Sequence, residues 1–384
     1  MAVRVVLVTG ASRLLGSRLA GALAADDRIE RVIGVDTVSP GPEQLAVLGR
    51  TEFVRADIRN PLIARVVDQA GVDTVVHMNV LATPGAAGGR TAMKEINVIG
   101  TMQLLAACQR AESVAKLVVK SSTAVYGSSP RDPALFEEDG HPRAAPRSGF
   151  GKDAIEVEGY VRGFARRRPD VALTLLRFAN FLGPTIDTPL SRYLSLPVVP
   201  TVLGYDPRLQ LCHEDDAVEA LRRAVFHDAL GTANVAGAGV LLLSQALRRL
   251  RRPSLPLPTP LLAAAATGLR GAGGVLEPTR EQLHFLEHGR VVDVARLTEL
   301  LGWQPRSTAE TFASFADAGG RASMLPAVAA GAARFGGALG GALAGGSSAG
   351  RSVLRSAGRR PGATRRGTSA PTRPAPVRLV PRRA

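Results

Sequence analysis

Thr9-Gly10-Ala11-Ser12-Arg13-Leu14-Leu15-Gly16 follows an apolar run and precedes leucines at helical spacing. In a strand–turn–helix unit, Gly10 would permit the tight turn and Gly16 the close packing of helix on strand. The helix start would offer unpaired N–H groups to a diphosphate. Asp36 ends the next apolar run. A carboxylate there accepts hydrogen bonds from adenine-ribose hydroxyls and repels a 2′-phosphate, so the pattern predicts a dinucleotide site that prefers NAD to NADP. Asp57 and Ile58, after a third run, are placed to touch the adenine. The middle glycine of the fingerprint is replaced by Arg13. Either its Cβ holds the diphosphate away, or its guanidinium binds the phosphates as a charged donor. A glycine pattern alone is also compatible with a turn that binds nothing. Strand, turn, helix and acid occurring together are what give it weight.

These residues need a scaffold, and the hydrophobic pattern supplies one. Apolar runs at 3–9, 31–36, 52–57, 74–77, 116–122 and 172–178 read as strands, and residues 14–25, 92–111 and 151–166 as intervening helices. Such alternation predicts an α/β fold, a doubly wound parallel sheet of Rossmann type covered on both faces. Beyond Asn180, Pro184, Pro189, Pro197, Pro200 and Pro207 break the chain into loops and short strands. Residues 215–226 and 292–302 read as helices, the latter stopped by Gly302 with Pro305 beyond. This half is expected to be a small C-terminal substrate lobe. The division is a nucleotide-binding core over about 1–180, the lobe over about 181–316, and a tail over 317–384.

The formal net charge of +15 belongs mostly to that tail. Twelve arginines and no acid follow Asp317, leaving +3 for the rest. The tail is Ala/Gly-rich, then Arg/Pro-rich, a composition expected to be disordered. It reads either as a solubilising extension or as an electrostatic contact for nucleic acid or an anionic surface. Cys108 and Cys212 make no metal spacing and no disulfide framework, so no metal is expected. No stretch is apolar enough to span a membrane, and the start lacks the pattern of a signal peptide. A cytoplasmic location is the default expectation.

Further motifs recur in order: Asp57-Ile58-Arg59, Val75-Val76-His77, Asn97-Val98-Ile99-Gly100-Thr101, Ser121-Ser122-Thr123-Ala124-Val125-Tyr126-Gly127, and Lys152 with Glu156. Then come Leu176-Arg177-Phe178-Ala179-Asn180 with Gly183-Pro184, His213-Glu214-Asp215-Asp216, and Leu300-Leu301-Gly302-Trp303-Gln304-Pro305. With the first turn and Asp36, this set resembles the extended short-chain dehydrogenase/reductase family, in its NAD-dependent epimerase/dehydratase branch (UDP-glucose 4-epimerase-like).

The resemblance implies NAD as cofactor and a nucleotide sugar as substrate. It implies Ser122 as the residue hydrogen-bonding the reacting hydroxyl, Lys152 as the lysine that binds the nicotinamide ribose, Asn97 as its support and Asn180 as a substrate contact. A homodimer through the helices of Asn97 and Lys152 is also implied. The family's tyrosine, four residues before the lysine, falls on Ser148. A serine hydroxyl is a far weaker acid than a phenol. Two functions follow as expectations: an NAD-dependent sugar-nucleotide epimerase/dehydratase-type oxidoreductase with a replacement acid–base group, or a non-catalytic NAD-binding regulator or scaffold with an anion-binding tail. On their own, Ser122 reads as a turn cap, His77 as a satisfied core histidine, and Cys108 as buried and inert.

Overall fold

The computed structural model describes residues 3–320, except 79, 81, 83–88, 229 and 263–279. The tail reading therefore lies outside the described residues, apart from 317–320.

Seven parallel strands form the central sheet: β1 (Val5–Thr9), β2 (Arg31–Asp36), β3 (Glu52–Arg55), β4 (Thr74–His77), β5 (Lys116–Ser122), β6 (Ala172–Phe178) and, after four short strands, β11 (Gly231–Val235). Their order is β11-β6-β5-β4-β1-β2-β3. The winding reverses between β1 and β4, where Thr9 lies beside His77. A reversal of this kind opens a crevice at the carboxyl ends of the strands.

Alternation assigns each strand side chain to one of two cores. Val6, Val8, Val118, Leu176 and Phe178 enter the first, beneath α1 (Leu14–Ala24). Leu7, Val75, Leu117, Val119 and Leu175 enter the second. The same sheet face carries α2 (Pro42–Leu48) against α1, while α3 (Ile63–Gln69) packs on the later helix Thr101–Arg110. Both faces are covered, which is why these strands read as continuous apolar runs. The segment expected as one helix is three: α4 (Gly89–Lys94), a π-helical stretch (Glu95–Gly100) and α5 (Thr101–Arg110). Next, α6 (Gly149–Arg167) packs against α5.

After β6 the chain builds a third core around Leu211, Phe312 and Phe315. Its small sheets pair β7 (Asn180–Leu182) with β10 (Leu211–His213), β8 (Val199–Val202) with β13 (Ser254–Leu257), and β9 (Arg208–Leu209) with β12 (Leu241–Leu242). Helices α7 (Pro189–Leu194) and α9 (Leu243–Arg249) belong to this half, whereas α8 (Glu214–Phe226) packs beside α1 in the first core. This half is interleaved with the first, because α8 leads back into the main sheet through β11.

The helix expected over 292–302 begins later, at Ala295. Until Asp293 the backbone is bonded to Phe136, through Phe136 N–H to Val291 O and Asp293 N–H to Phe136 O. Gly302 closes the helix in the left-handed conformation at φ 58°. The last described helix, Thr308–Asp317, starts with a reciprocal Ser307–Glu310 capping box. Among the described residues no helix is long and apolar enough to cross a membrane.

Candidate functional site

Gly10 takes φ 76°, a conformation that glycine adopts without penalty, and its N–H donates to Val35 O at 2.8 Å. A Cβ on Gly16 would lie 2.1 Å from Gly10 O, so the helix can approach the turn only with glycine there. Arg13 is the N-cap of α1, in ordinary extended conformation (φ −96°, ψ 156°), and its side chain makes no cap. No acid stands in the first turn of α1. The amides of Leu14, Leu15 and Gly16 therefore have no intrahelical acceptor and no capping side chain, and all three residues line one large cavity. A helix start arranged like this favours an anion. Arg13 lines the same cavity.

Asp36, at the end of β2, is 4% exposed. Its carboxylate accepts the N–H groups of Ser12 (3.1 Å) and Thr37 (2.7 Å), which fixes it against the turn. Asp57 is clasped by Arg59, whose Nη2 is 2.6 Å away, and Arg59 holds its carboxyl below the usual range. Arg59 also pairs with Glu95 at 2.9 Å. Ile58 is buried against Gly100, where any Cβ would meet it at 2.7 Å. None of Asp36, Asp57 and Ile58 lines the cavity.

A buried polar chain links the first turn to α6. Thr101 donates to Asn97 O at 2.5 Å, so its oxygen accepts from His77 Nε2 at 2.8 Å. His77 Nδ1 is then the acceptor for the Thr9 hydroxyl at 3.0 Å, while Thr9 Oγ1 accepts Met78 N–H. This assignment needs a neutral imidazole. Burial, reinforced by the charge of Lys120, lowers the His77 pKa to about 3. Asn97 Nδ2 donates to Asp153 at 3.3 Å, and Arg90 clamps the same carboxylate at 2.6 and 2.7 Å. Asn97 thus sets the position of α6 from within the core.

The cavity measures about 800 Å³. Ser122 and Asn180 line it, as do Phe178 and Phe181. Ser122 Oγ accepts Ala124 N–H at 3.1 Å and caps a 3₁₀ turn over Thr123–Tyr126, leaving its own proton to donate. Ser148 is the exposed N-cap of α6 and makes no capping bond. Lys152 is 44% exposed, with Nζ 3.5 Å from Glu156. The structure brings neither residue to the cavity wall, whereas Phe150 of the same helix lines it.

A second buried acid of α6 is Glu158. It accepts from Ser121 Oγ at 2.7 Å and from two nitrogens of Arg177 at 2.9 and 2.7 Å. Arg177 also donates to Tyr126 Oη, whose own proton goes to Asn234 at 2.9 Å. Burial pushes the Tyr126 phenol up, so it serves structure. His213 is likewise local: it caps α8 by accepting Asp215 N–H at 3.2 Å. Both cysteines are buried, and burial pushes Cys108 up to about 12.

Lys120 was not singled out from the sequence. It occupies β5 two residues before Ser122 and lines the cavity. Its Nζ donates to Val80 O at 3.0 Å and lies 5.9 Å from the Phe181 ring centre. Burial, aided by the charge of Arg13, lowers its pKa to about 8. The available signal was a lysine that directly follows three apolar residues inside a strand covered on both faces.

Residues 6–236 match the NAD dependent epimerase/dehydratase family. The chain belongs to this family. It is 51% identical over 311 residues to an uncharacterised Mycobacterium tuberculosis protein, covering 80% of this chain and 82% of that one. UDP-glucuronic acid decarboxylase 6 of Arabidopsis thaliana is 23% identical over 318 residues, 78% of this chain and 84% of the relative. Two solved structures share the fold. MoeE5 in complex with UDP-glucuronic acid and NAD has a TM-score of 0.63 at 22% identity, covering 82% of this chain and 98% of its own. UDP-glucose 4-epimerase of Thermotoga maritima with UDP-glucose has 0.62 at 19%, with the same coverage.

For an epimerase/dehydratase relative, the phase of α6 is the notable departure. A tyrosine and a lysine four residues apart must share one helix face to meet one ligand. The face of α6 that meets the cavity and the core carries Phe150 and Ala154 at that spacing. It offers neither phenol nor amine.

Proposed function

We propose that this epimerase/dehydratase family member holds NAD across its first crossover and a nucleotide sugar in the adjoining cavity, and acts on that sugar as an oxidoreductase of epimerase or dehydratase type. The observation carrying this reading is the helix start: three uncapped amides of α1 open to a cavity of about 800 Å³, and the turn before them is bonded to Asp36, which lies behind it rather than on the cavity wall. The residues fit the cofactor: Gly16 lets α1 pack directly on the Gly10 turn, and the Leu14–Gly16 amides meet the cavity without a capping side chain.

Leu14, Leu15 and Gly16 amides would bind the diphosphate with Arg13, and Asp36 the adenine ribose. When bound, NAD supplies reversible hydride acceptance. Ser122 would donate its free proton to a ligand hydroxyl, and Asn180 would orient the sugar between aromatic walls. Exposed Ile99 and Met102 on the helix of Asn97, with Tyr160 on α6, support a homodimer through these helices. Sedimentation velocity reads that directly.

Phe150 and Ala154 favour a second reading, a non-catalytic NAD-binding protein. Incubation with NAD and UDP-glucose, UDP-galactose or UDP-glucuronic acid separates the two. Conversion of any of them supports the oxidoreductase, and binding without conversion supports the second reading.

A further inference from the structure

Oxidising a ligand hydroxyl requires a group that takes its proton, and α6 presents none to the cavity. Strand β5 presents one. Lys120 and Ser122 are two residues apart on one strand, so their side chains leave the same face of the sheet, about 7 Å apart along it. Both line the cavity, with Asn180 and Phe181. Ser121, between them, also borders the cavity, but its hydroxyl is turned to the other face and donates to Glu158.

Of the other cations lining the cavity, Arg90 pairs with Asp153 at 2.6 Å and Arg192 with Asp187 at 2.7 Å, Arg290 donates to Gly127 O and Ser128 Oγ, and Arg13 stands at the start of α1. Lys120 has the Val80 carbonyl and, among the described residues, no carboxylate within ion-pair distance. Of the acids lining the cavity, Glu281 accepts Gly151 N–H, Asp187 holds Arg192 and Glu43 stands on α2, and none of these is within ion-pair distance of Lys120. Arg13, before α1, is a like charge, and His77 of β4 is neutral. Glu158 of α6 lies on the far face with Arg177, and Glu214 of α8 is bound to Thr185 and Ile186. The segment from β6 into β7 offers Asn180 and Phe181, which do not titrate.

Resting on the nucleotide-sugar reading above, we propose that Lys120 is the proton acceptor for the ligand hydroxyl that Ser122 binds. The ligand O–H bond breaks, its electron pair stays on oxygen, and a new N–H bond forms at Nζ. The neutral amine becomes an ammonium, and the hydride acceptor is the nicotinamide cofactor of that reading. Val80 O can accept a hydrogen bond from Nζ in either state, so the amine need not move. With its pKa lowered to about 8, Lys120 is neutral in part near neutral pH, unlike an ordinary lysine at about 10.4.

The lysines of the chain are Lys94, Lys116, Lys120 and Lys152, so each can be followed separately. The test is competitive acetylation of the full chain across pH, read by peptide mass spectrometry, with and without NAD plus UDP-glucose or UDP-glucuronic acid. Expected are a Lys120 midpoint near 8 and labelling slowed about tenfold by a nucleotide sugar. Lys120→Met should lower conversion about 100-fold or more, with NAD affinity held within about threefold, and Lys120→Arg should not restore the rate. A midpoint at the ordinary lysine value, labelling indifferent to nucleotide sugar, or an undiminished Lys120→Met rate would overturn the assignment. So would a wild type that binds NAD and converts no sugar nucleotide. Failure of wild type to bind NAD defeats the underlying reading instead.

Discussion

Glu158 and Arg177 form a buried ion pair, 2.7 Å apart, with side chains 2% and 10% exposed. It ties α6 to β6, and through Ser121 and Tyr126 it reaches β5 and the turn after it. Glu158→Gln would leave the Arg177 guanidinium buried without its counter-charge. The expected loss is about 3–5 kcal/mol of folding stability, measured by denaturant unfolding. A loss under about 1 kcal/mol would show that the pair is not the clasp described.

His77 gives the stability a pH dependence of definite sign. Its folded pKa, about 3, lies below the ordinary 6.5. The unfolded chain therefore binds a proton that the folded chain does not. Its contribution is fully present above pH 6.5 and is lost as pH falls toward 3, by up to about 1.4 kcal/mol per pH unit. His77→Gln should flatten that part of the stability–pH curve. An unchanged slope in the variant would contradict a neutral, buried imidazole.

Of the two alternatives that the sequence leaves for Arg13, we infer that its guanidinium binds the diphosphate. Its backbone is unstrained, and its charge reaches as far as Lys120. Arg13→Gly should weaken NAD binding by about 1.5–3 kcal/mol, the size of a charge-assisted hydrogen bond, with the difference shrinking in high salt. A variant that binds more tightly would mean that the Cβ obstructs the diphosphate.

Lys152 is half-exposed and paired with Glu156 one turn on. Surface pairs of this kind contribute about 0.3–0.5 kcal/mol. Lys152→Ala should therefore leave the NAD dissociation constant within about threefold by calorimetry. A loss of tenfold or more would return Lys152 to the cofactor and require α6 to turn.

The sheet and its first crossover were legible because their signals are local: apolar runs, two glycines and an acid at fixed spacing. Strand β11 was not, since Gly231-Thr232-Ala233-Asn234-Val235 carries little hydrophobic bulk and is fixed by pairing with β6. The phase that α6 takes was not legible, for a physical reason. Glu156 and Glu158 both follow Lys152, and two residues along a helix turn the side chain by about 200°. Spacing from Lys152 pointed to Glu156, whereas burial selects Glu158. Lys120 was hidden inside a strand whose neighbours are apolar, and its meaning depends on a cavity that only tertiary packing creates.

Calorimetric titration of NAD into the full-length chain and into Asp36→Ala tests the cofactor site most directly. Saturable binding to the wild type, weakened in the variant by about 1–3 kcal/mol, is the predicted result. No binding, or equal affinity in both proteins, would contradict it.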